Sequence, residues 1–383
     1  MMKALKWHQV HAWRLSQHGL SPRLFSQEVV EAVKRTAGIQ AQVMSAAELA
    51  LVSRVEGLSA REIRSALWPE RTLVKTWAMR ATLHVLATND LPLYVAALSL
   101  RQFRNWSAHF AYYGLSSAQH DAFLAAVPQV VGSEPMTREQ LASALAKRTG
   151  IAHVRDVILT SSWGSLLRQS AIRGDLCFGP NQGQNVTFVN PRAWIGAWPS
   201  IEPEQALQEL VRRYLWAYGP ATAAEFARWC WDGGGTIETK KVFQSMKDEL
   251  EEVEVEGWRA IALRVTLEPM QQLSPAETIH LLPLFDAYTI GMPRAHEQLL
   301  DGTYKRLVFR PAGWVSAVVL INGSIQGVWQ STTRRSQTVV KVHLFCSPTA
   351  VIQQGIEAER ERLSEFFKTK VVLEYEHLSS SGS

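Results

Sequence analysis

One local pattern returns three times along this 383-residue chain and limits what it can fold into. A short helix opens on Ser or Thr, a second helix follows, and two β-type runs close the unit. The first copy reads SAREIRSALW from Ser59, with paired runs around TLVKTW and ATLHVLA. The second reads MTREQLASALAKR from Met136, then TSSWGSLLRQSAIRG, DLCFG and NVTFVN. The third reads ATAAEFARWCW from Ala221, then KKVFQSMKDEL and LEEVEVEGWRAIALRV. Their opening positions, Ser59, Thr137 and Thr222, lie 78 and 85 residues apart. Thr137 and Thr222 are good helix N-caps, and Glu139 and Glu225 put carboxylates in the first turn, where the helix dipole favours them. Val253, Val255, Trp258, Ile261 and Leu263 alternate about a Glu256-Gly257 turn. Helix, helix, hairpin is the plan of a winged helix, a helix-turn-helix with a β-wing. One such unit buries too little to stand alone, so several are expected to pack together.

Composition supports a folded chain. Hydrophobic residues make up 46% and charged residues 20%, ordinary values for globular proteins. Only the Ser/Gly-rich tail 379–383 reads as disordered. The longest apolar run, Leu91 to Leu100, is too short to span a bilayer, and the Trp- and His-rich N-terminus has no signal-peptide cleavage pattern. Cys177, Cys230 and Cys346 are far apart and form no C-x-x-C, so zinc or iron–sulfur ligation lacks its donors. A sparse, odd set of cysteines suits a reducing compartment, and a cytoplasmic location is expected. No metal and no cofactor is expected, and nothing demands more than a monomer. The net charge is +5, but residues 1–109 hold 14 Lys/Arg against 7 Asp/Glu. A basic first third suits a surface that meets phosphate, and a merely solvated basic face fits equally.

After Pro269 the pattern changes. The runs ETIHLLP, RLVFRP, GWVSAVVLING, SIQGVWQ and TVVKVHLF read as strands, with turns at Asn322-Gly323 and Pro311-Ala312-Gly313. A helix from Pro348 to Lys368 and a strand VVLEYEH follow. The expected fold is α+β: about three tandem winged-helix units, then a C-terminal antiparallel β-barrel-like domain. The boundaries read as 1–95, a helical connector 96–131, then 132–200, 201–268 and 269–378.

The segment AGIQAQVMSAAELALVSRVEG carries the candidate chemistry. Ser26 is expected to cap a helix bearing Val29, Val30 and Val33, which Gly38 ends. Gln40 and Gln42 follow. On a helix their side chains would diverge by about 200°, whereas in extended backbone residues i and i+2 share a face. There, two amides can hold one water, each offering an acceptor oxygen and a donor NH₂. Taken alone, Gln-x-Gln also fits a surface or capping pair.

The run GIQAQ…LALVSRVEGLS with ERTLVKTWAMRATLHVLATNDL resembles the first winged-helix unit of the AlkZ/YcaQ family of bacterial DNA glycosylases. LLPLFDAYTIG…YKRLVFRPAGWVSAVVLINGSIQGVW resembles that family's C-terminal β-domain. The middle third is similar in architecture only. The resemblance implies that Gln40 and Gln42 are the catalytic pair, as in the AlkZ-like branch. It also implies a monofunctional glycosylase that removes cationic N7-alkylated purines from double-stranded DNA, extending to bulky adducts and N7-linked interstrand crosslinks. One departure is Ala81, where the family more often shows Gly.

Other positions are weighed with it. Arg80, Thr82 and His84 fall on alternate positions of an expected strand, which makes a DNA-facing stripe or an ordinary solvated face. Lys75, in a paired strand, suits phosphate or solvent better than Schiff-base chemistry, so no strand-cleaving lyase is expected. Arg334 and Arg335, after a hairpin, are candidate phosphate contacts. Asp286 either caps a helix at Ala287 or holds water. Trp68, Trp77, Trp314 and Trp329 are expected in the core. The competing reading is a winged-helix regulator that binds DNA without catalysis.

Overall fold

The computed structural model describes residues 3–100, 110–274, 277–294, 296–334 and 337–375; Arg335 and the tail 379–383 lie outside the described residues. In chain order the strands are β1 (Lys3–Leu5), β2 (Ile39–Gln40), β3 (Leu73–Trp77), β4 (Leu83–Ala87), β5 (Met136–Thr137), β6 (Cys177–Gln182) and β7 (Asn185–Val189). They continue with β8 (Leu250–Val255), β9 (Trp258–Leu263), β10 (Ile279–Leu282), β11 (Ala317–Ile321), β12 (Ser324–Arg334), β13 (Gln337–Leu344) and β14 (Lys370–Tyr375). The first helices are α1 (Trp7–Gln17), α2 (Val29–Arg35), α3 (Met44–Val52) and α4 (Ala60–Leu67). The chain forms two compact units, each drawn from separated stretches. One comprises Met1–Ile63, Arg212–Phe226 and Ser245–Ser383; the other comprises Arg64–Val211 and Ala227–Gln244.

An order of elements repeats along the chain. The helix Ser117–Val130 leads to β5, the helices Arg138–Thr149 and His153–Thr160, and the β6–β7 hairpin. The helix Pro203–Tyr218 leads to an extended step at Ala221, the helices Ala223–Trp231 and Thr236–Ser245, and the β8–β9 hairpin. Earlier in the chain, α2, β2, α3, α4 and the β3–β4 hairpin follow the same succession. The openings share one local device, a reciprocal capping box. Ser59 and Glu62 exchange bonds, with Ser59 N–H donating to Glu62 Oε2 at 2.8 Å and Glu62 N–H to Ser59 Oγ at 3.3 Å. Thr137 and Gln140 do the same at 2.8 and 3.3 Å, and Thr222 and Glu225 at 2.7 and 3.2 Å. In the second box the partner is therefore Gln140, and Glu139 stands beside it in the first turn.

In the unit built on Arg64–Val211, β3 and β4 pair antiparallel, and β5, β7 and β6 form a sheet in that order. Phe178 on β6 packs its ring 4.9 Å from Trp77 and 5.1 Å from Phe188.

In the other unit β8 and β9 pair through Glu256-Gly257, both at positive φ (45° and 90°), as a tight two-residue hairpin requires. The N-terminal β1 adds to this hairpin, parallel to β8, with Lys3 opposite Val253. The C-terminal sheet has the order β10-β11-β12-β13-β14 and curls into a half-barrel. Asn322 and Gly323 turn β11 into β12 at φ 50° and 86°. Two expectations are corrected here. The sheet is not wholly antiparallel, because β14 returns parallel to β13 after the helix Ala350–Phe367. A parallel neighbour needs such a crossover, and this helix buries Ile356 and Leu363 with Val340, Val342 and Val371. The run RLVFR is also not a strand: Lys305–Val308 is a short helix, and only Phe309 bridges to Val315.

Candidate active site

Helix α2 starts at Val29 with Glu28 as its N-cap, so Ser26 does not cap it. It ends on a reversal that uses two positive-φ residues, Ala37 at 51° and Gly38 at 101°. Gly38 N–H reaches back to Val33 O at 2.9 Å and Ala37 N–H to Lys34 O at 2.9 Å, a Schellman closure. Thr36 Oγ1 bonds the carbonyl of Ala32 at 2.9 Å, and Thr36 O accepts from the buried Tyr218 hydroxyl at 2.8 Å. Tyr218 reaches this point because Gly291 has no side chain; a Cβ there would stand 2.0 Å from the Tyr218 ring.

The chain leaves this turn as β2, then bends into α3, whose N-cap is Val43. Ile39 and Ala41 are fully buried, Gln40 is 8% exposed and Gln42 is half-buried. β2 ends at Gln40, and Gln42 lies in the bend that leads into α3. A cavity of about 200 Å³ follows, with Val43, Ser45, Ala46, Leu284 and Trp329 among its lining residues. A larger one, about 480 Å³, runs from Arg23 and Glu56 to Phe366 and includes neither glutamine.

Asp286 is wholly buried. It caps the short helix Ala287–Gly291, accepting from Tyr288 N–H at 2.9 Å, and takes both Arg54 guanidinium nitrogens at 2.8 Å. Arg54, equally buried, follows α3 and also donates to Ala50 O at 2.8 Å. His18 Nδ1 lies 3.4 Å from Arg54 Nη2; burial first, then the Arg54 and Arg14 charges, hold His18 well below its ordinary pKa. Asp286 thus fixes the C-terminal end of α3 to the β-domain. The sequence reading missed Arg54 and His18. The signal was present, since a lone arginine closing the apolar run LALVS must find a partner once that helix is buried.

Arg80, Thr82, His84 and Lys75 belong to the other unit. The expected stripe is not formed. Met79–Ala81 is an irregular turn, with Arg80 at φ 56° and Ala81 at φ 53°, and β4 begins only at Leu83. His84 is buried rather than presented. Its Nδ1 lies 3.0 Å from Thr82 O, which can only accept, so Nδ1 carries the proton and Nε2 accepts from Arg80 Nη2 at 3.3 Å. Burial and then Arg80 bring the His84 pKa down to about 3. Arg80 Nη1 donates to the Trp229 carbonyl. Thr82 is half-buried, its hydroxyl on Met79 O at 3.1 Å. Lys75 sets its ammonium 5.1 Å over the Phe178 ring. Arg334 is exposed at the end of β12, opposite Gln337. Among the described residues no group of three His, Cys, Asp or Glu is placed to hold a metal ion, and no helix is long and apolar enough to cross a membrane.

A family model described as DNA glycosylase AlkZ-like matches residues 33–366. The interstrand DNA cross-link repair glycosylase of Streptomyces sahachiroi is 35% identical over 332 residues, covering 86% of this chain and 88% of that protein. The solved structure of Streptomyces sahachiroi DNA glycosylase AlkZ superposes with a TM-score of 0.87 at 32% identity, covering 98% of this chain and all of that one. The fold is a mixed α+β fold of the AlkZ kind, and the chain belongs to the AlkZ-like family of DNA glycosylases.

Proposed function

We propose that the chain is a monofunctional glycosylase that hydrolyses the N-glycosidic bond of cationic N7-alkylated purines in double-stranded DNA, with Gln40 and Gln42 holding the attacking water. The observation that carries this reading is the placement of Gln40 on the extended β2 and of Gln42 in the bend beside the cavity at Val43, in a chain of a DNA glycosylase family. Alkylation at N7 leaves positive charge on the base. When the C1′–N9 bond breaks, its electron pair neutralises that charge, so the base departs without a general acid. The sugar becomes oxocarbenium-like and needs only a placed water and nearby dipoles. The water oxygen bonds C1′, its proton passes to solvent, and free base and an abasic site result. Neutral amides suffice to orient that water; an uncharged lesion would need a stronger base.

The similarity to an interstrand cross-link repair glycosylase supports action on N7-linked crosslinks as well. In the same reading, each repeat of helix, extended step, two helices and hairpin is a winged-helix unit, about three in all. Asp286 supports the site through Arg54 rather than by touching substrate, Lys75 forms no Schiff base, and the protein works as a monomer on cytoplasmic DNA.

The test is release of free 7-methylguanine from methylated duplex DNA. The wild type is expected to release it, and Gln40→Ala and Gln42→Ala to slow release by at least about 100-fold. Borohydride should trap no protein–DNA adduct. Binding without release by the wild type would leave only a DNA-binding regulator.

A further inference from the structure

The stretch 302–316 holds Lys305, Arg306 and Arg310 and no acidic residue. All three cations are exposed and, among the described residues, none is ion-paired. Two large apolar side chains stand with them, Leu307 and Trp314, each 40% exposed. Trp314 was expected in the core; it lies instead at the surface.

The backbone beneath is well fixed. Arg310 N–H bonds Trp314 O at 2.8 Å across a turn in which Ala312 and Gly313 take φ of 57° and 75°. This closure sets Arg310 and Trp314 opposite each other, one pair beyond the Phe309–Val315 bridge. Ser316 ties the preceding short helix down, its N–H on Val308 O at 2.9 Å and its hydroxyl on Leu307 O at 2.7 Å. The Trp314 and Phe285 ring centroids lie 5.1 Å apart, the rings tilted by 41°. The residue before Phe285, Leu284, lines the 200 Å³ cavity that Val43, next to Gln42, also lines. Trp314, Phe285 and the cavity residue Leu284 belong to the same unit as the glutamine segment.

Unpaired cations beside a flat exposed ring match a sugar–phosphate backbone: guanidinium and ammonium groups meet phosphates, and the indole covers a deoxyribose face. We propose that Lys305, Arg306, Arg310 and Trp314 form a DNA-backbone contact that holds the duplex beside the glutamine pair. This rests on the glycosylase reading, and the experiment separates the two.

Fluorescence anisotropy of a labelled undamaged duplex is measured with the full-length protein over a range of salt. Removing one cation–phosphate pair reduces the slope of log affinity against log salt by about 0.9, so Lys305→Gln/Arg306→Gln/Arg310→Gln should reduce it by nearly 3. The affinity gap to the wild type then narrows about 40-fold between about 50 and 200 mM salt. Trp314→Ala should weaken binding at every salt concentration with the slope unchanged, because an apolar contact releases no counterions. Should the triple variant melt early, Arg310→Gln alone, with an expected slope change of about 1, decides. Variants that keep wild-type affinity and slope overturn the proposal while leaving the glycosylase reading intact. A wild type that fails to bind DNA overturns both.

Discussion

At Ala81 a methyl group sits where the backbone takes φ 53°, directly after Arg80 at 56°. The left-handed region costs a residue with a Cβ roughly 1–2 kcal/mol, so this turn carries strain that glycine would relieve. A glycine at this position would take the same φ without that cost. Asp286 shows the opposite economy, a costly group made cheap by its partners. Removing it leaves Arg54 buried and unpaired, and Asp286→Ala is expected to cost about 3–5 kcal/mol of stability. Urea denaturation measures this. A loss below about 1 kcal/mol, or lost excision at unchanged stability, would mean that Asp286 acts on substrate instead of on Arg54.

Among elements, the capping boxes are where sequence and structure agree most closely. Ser59, Thr137 and Thr222 announce their helices because a hydroxyl and a residue three positions on satisfy orphan N–H groups locally, with no help from distant parts of the chain. Thr137→Ala should therefore lower stability by about 1 kcal/mol, read as a shift in the denaturation midpoint; Thr137→Ser should restore most of it. The hairpin turns Glu256-Gly257 and Asn322-Gly323 were legible for the same local reason. What escaped were features set by partners remote in sequence. Nothing in VVLEY states whether its neighbour runs parallel; the helix Ala350–Phe367 and its burial decide that. The alternation of Arg80, Thr82 and His84 imitates a strand, and only the positive φ at Arg80 and Ala81 breaks it. RLVFR has strand composition, yet the pairing it would need is limited to Phe309. At the glutamines, the sequence left helix and extended backbone open; after the Ala37-Gly38 reversal, Gln40 lies on β2 and Gln42 in the bend before α3.

Over the whole molecule, four histidines are buried among the described residues: His11, His18, His84 and His280. Burial is the largest cause in each and lowers His11 to about 4 and His84 and His280 to about 3, with His18 also held well below its ordinary value. Their unfolded counterparts take a proton below about pH 6.5. In that range the unfolded chain binds more protons than the folded one, so stability rises with pH. The contribution is complete above about pH 6.5 and is lost on acidification, each site costing up to about 1.4 kcal/mol per pH unit until its folded pKa is reached. The melting temperature should fall between about pH 6.5 and 5, before most carboxylates titrate. A flat profile there would show that these imidazoles are not held neutral.

The first strand has its partner 250 residues away, Lys3 against Val253. During synthesis the amino terminus leaves the ribosome long before β8 and β9 exist, and at about 5–20 residues per second the wait is more than about ten seconds. Until then Trp7, Val10 and Trp13 of α1, which end in the core with Val253 and Val255, have no such surface to cover them. A nascent chain interrupted before the third hairpin therefore keeps an adhesive amino-terminal segment, and chaperone capture or proteolysis should fall most heavily on such unfinished products.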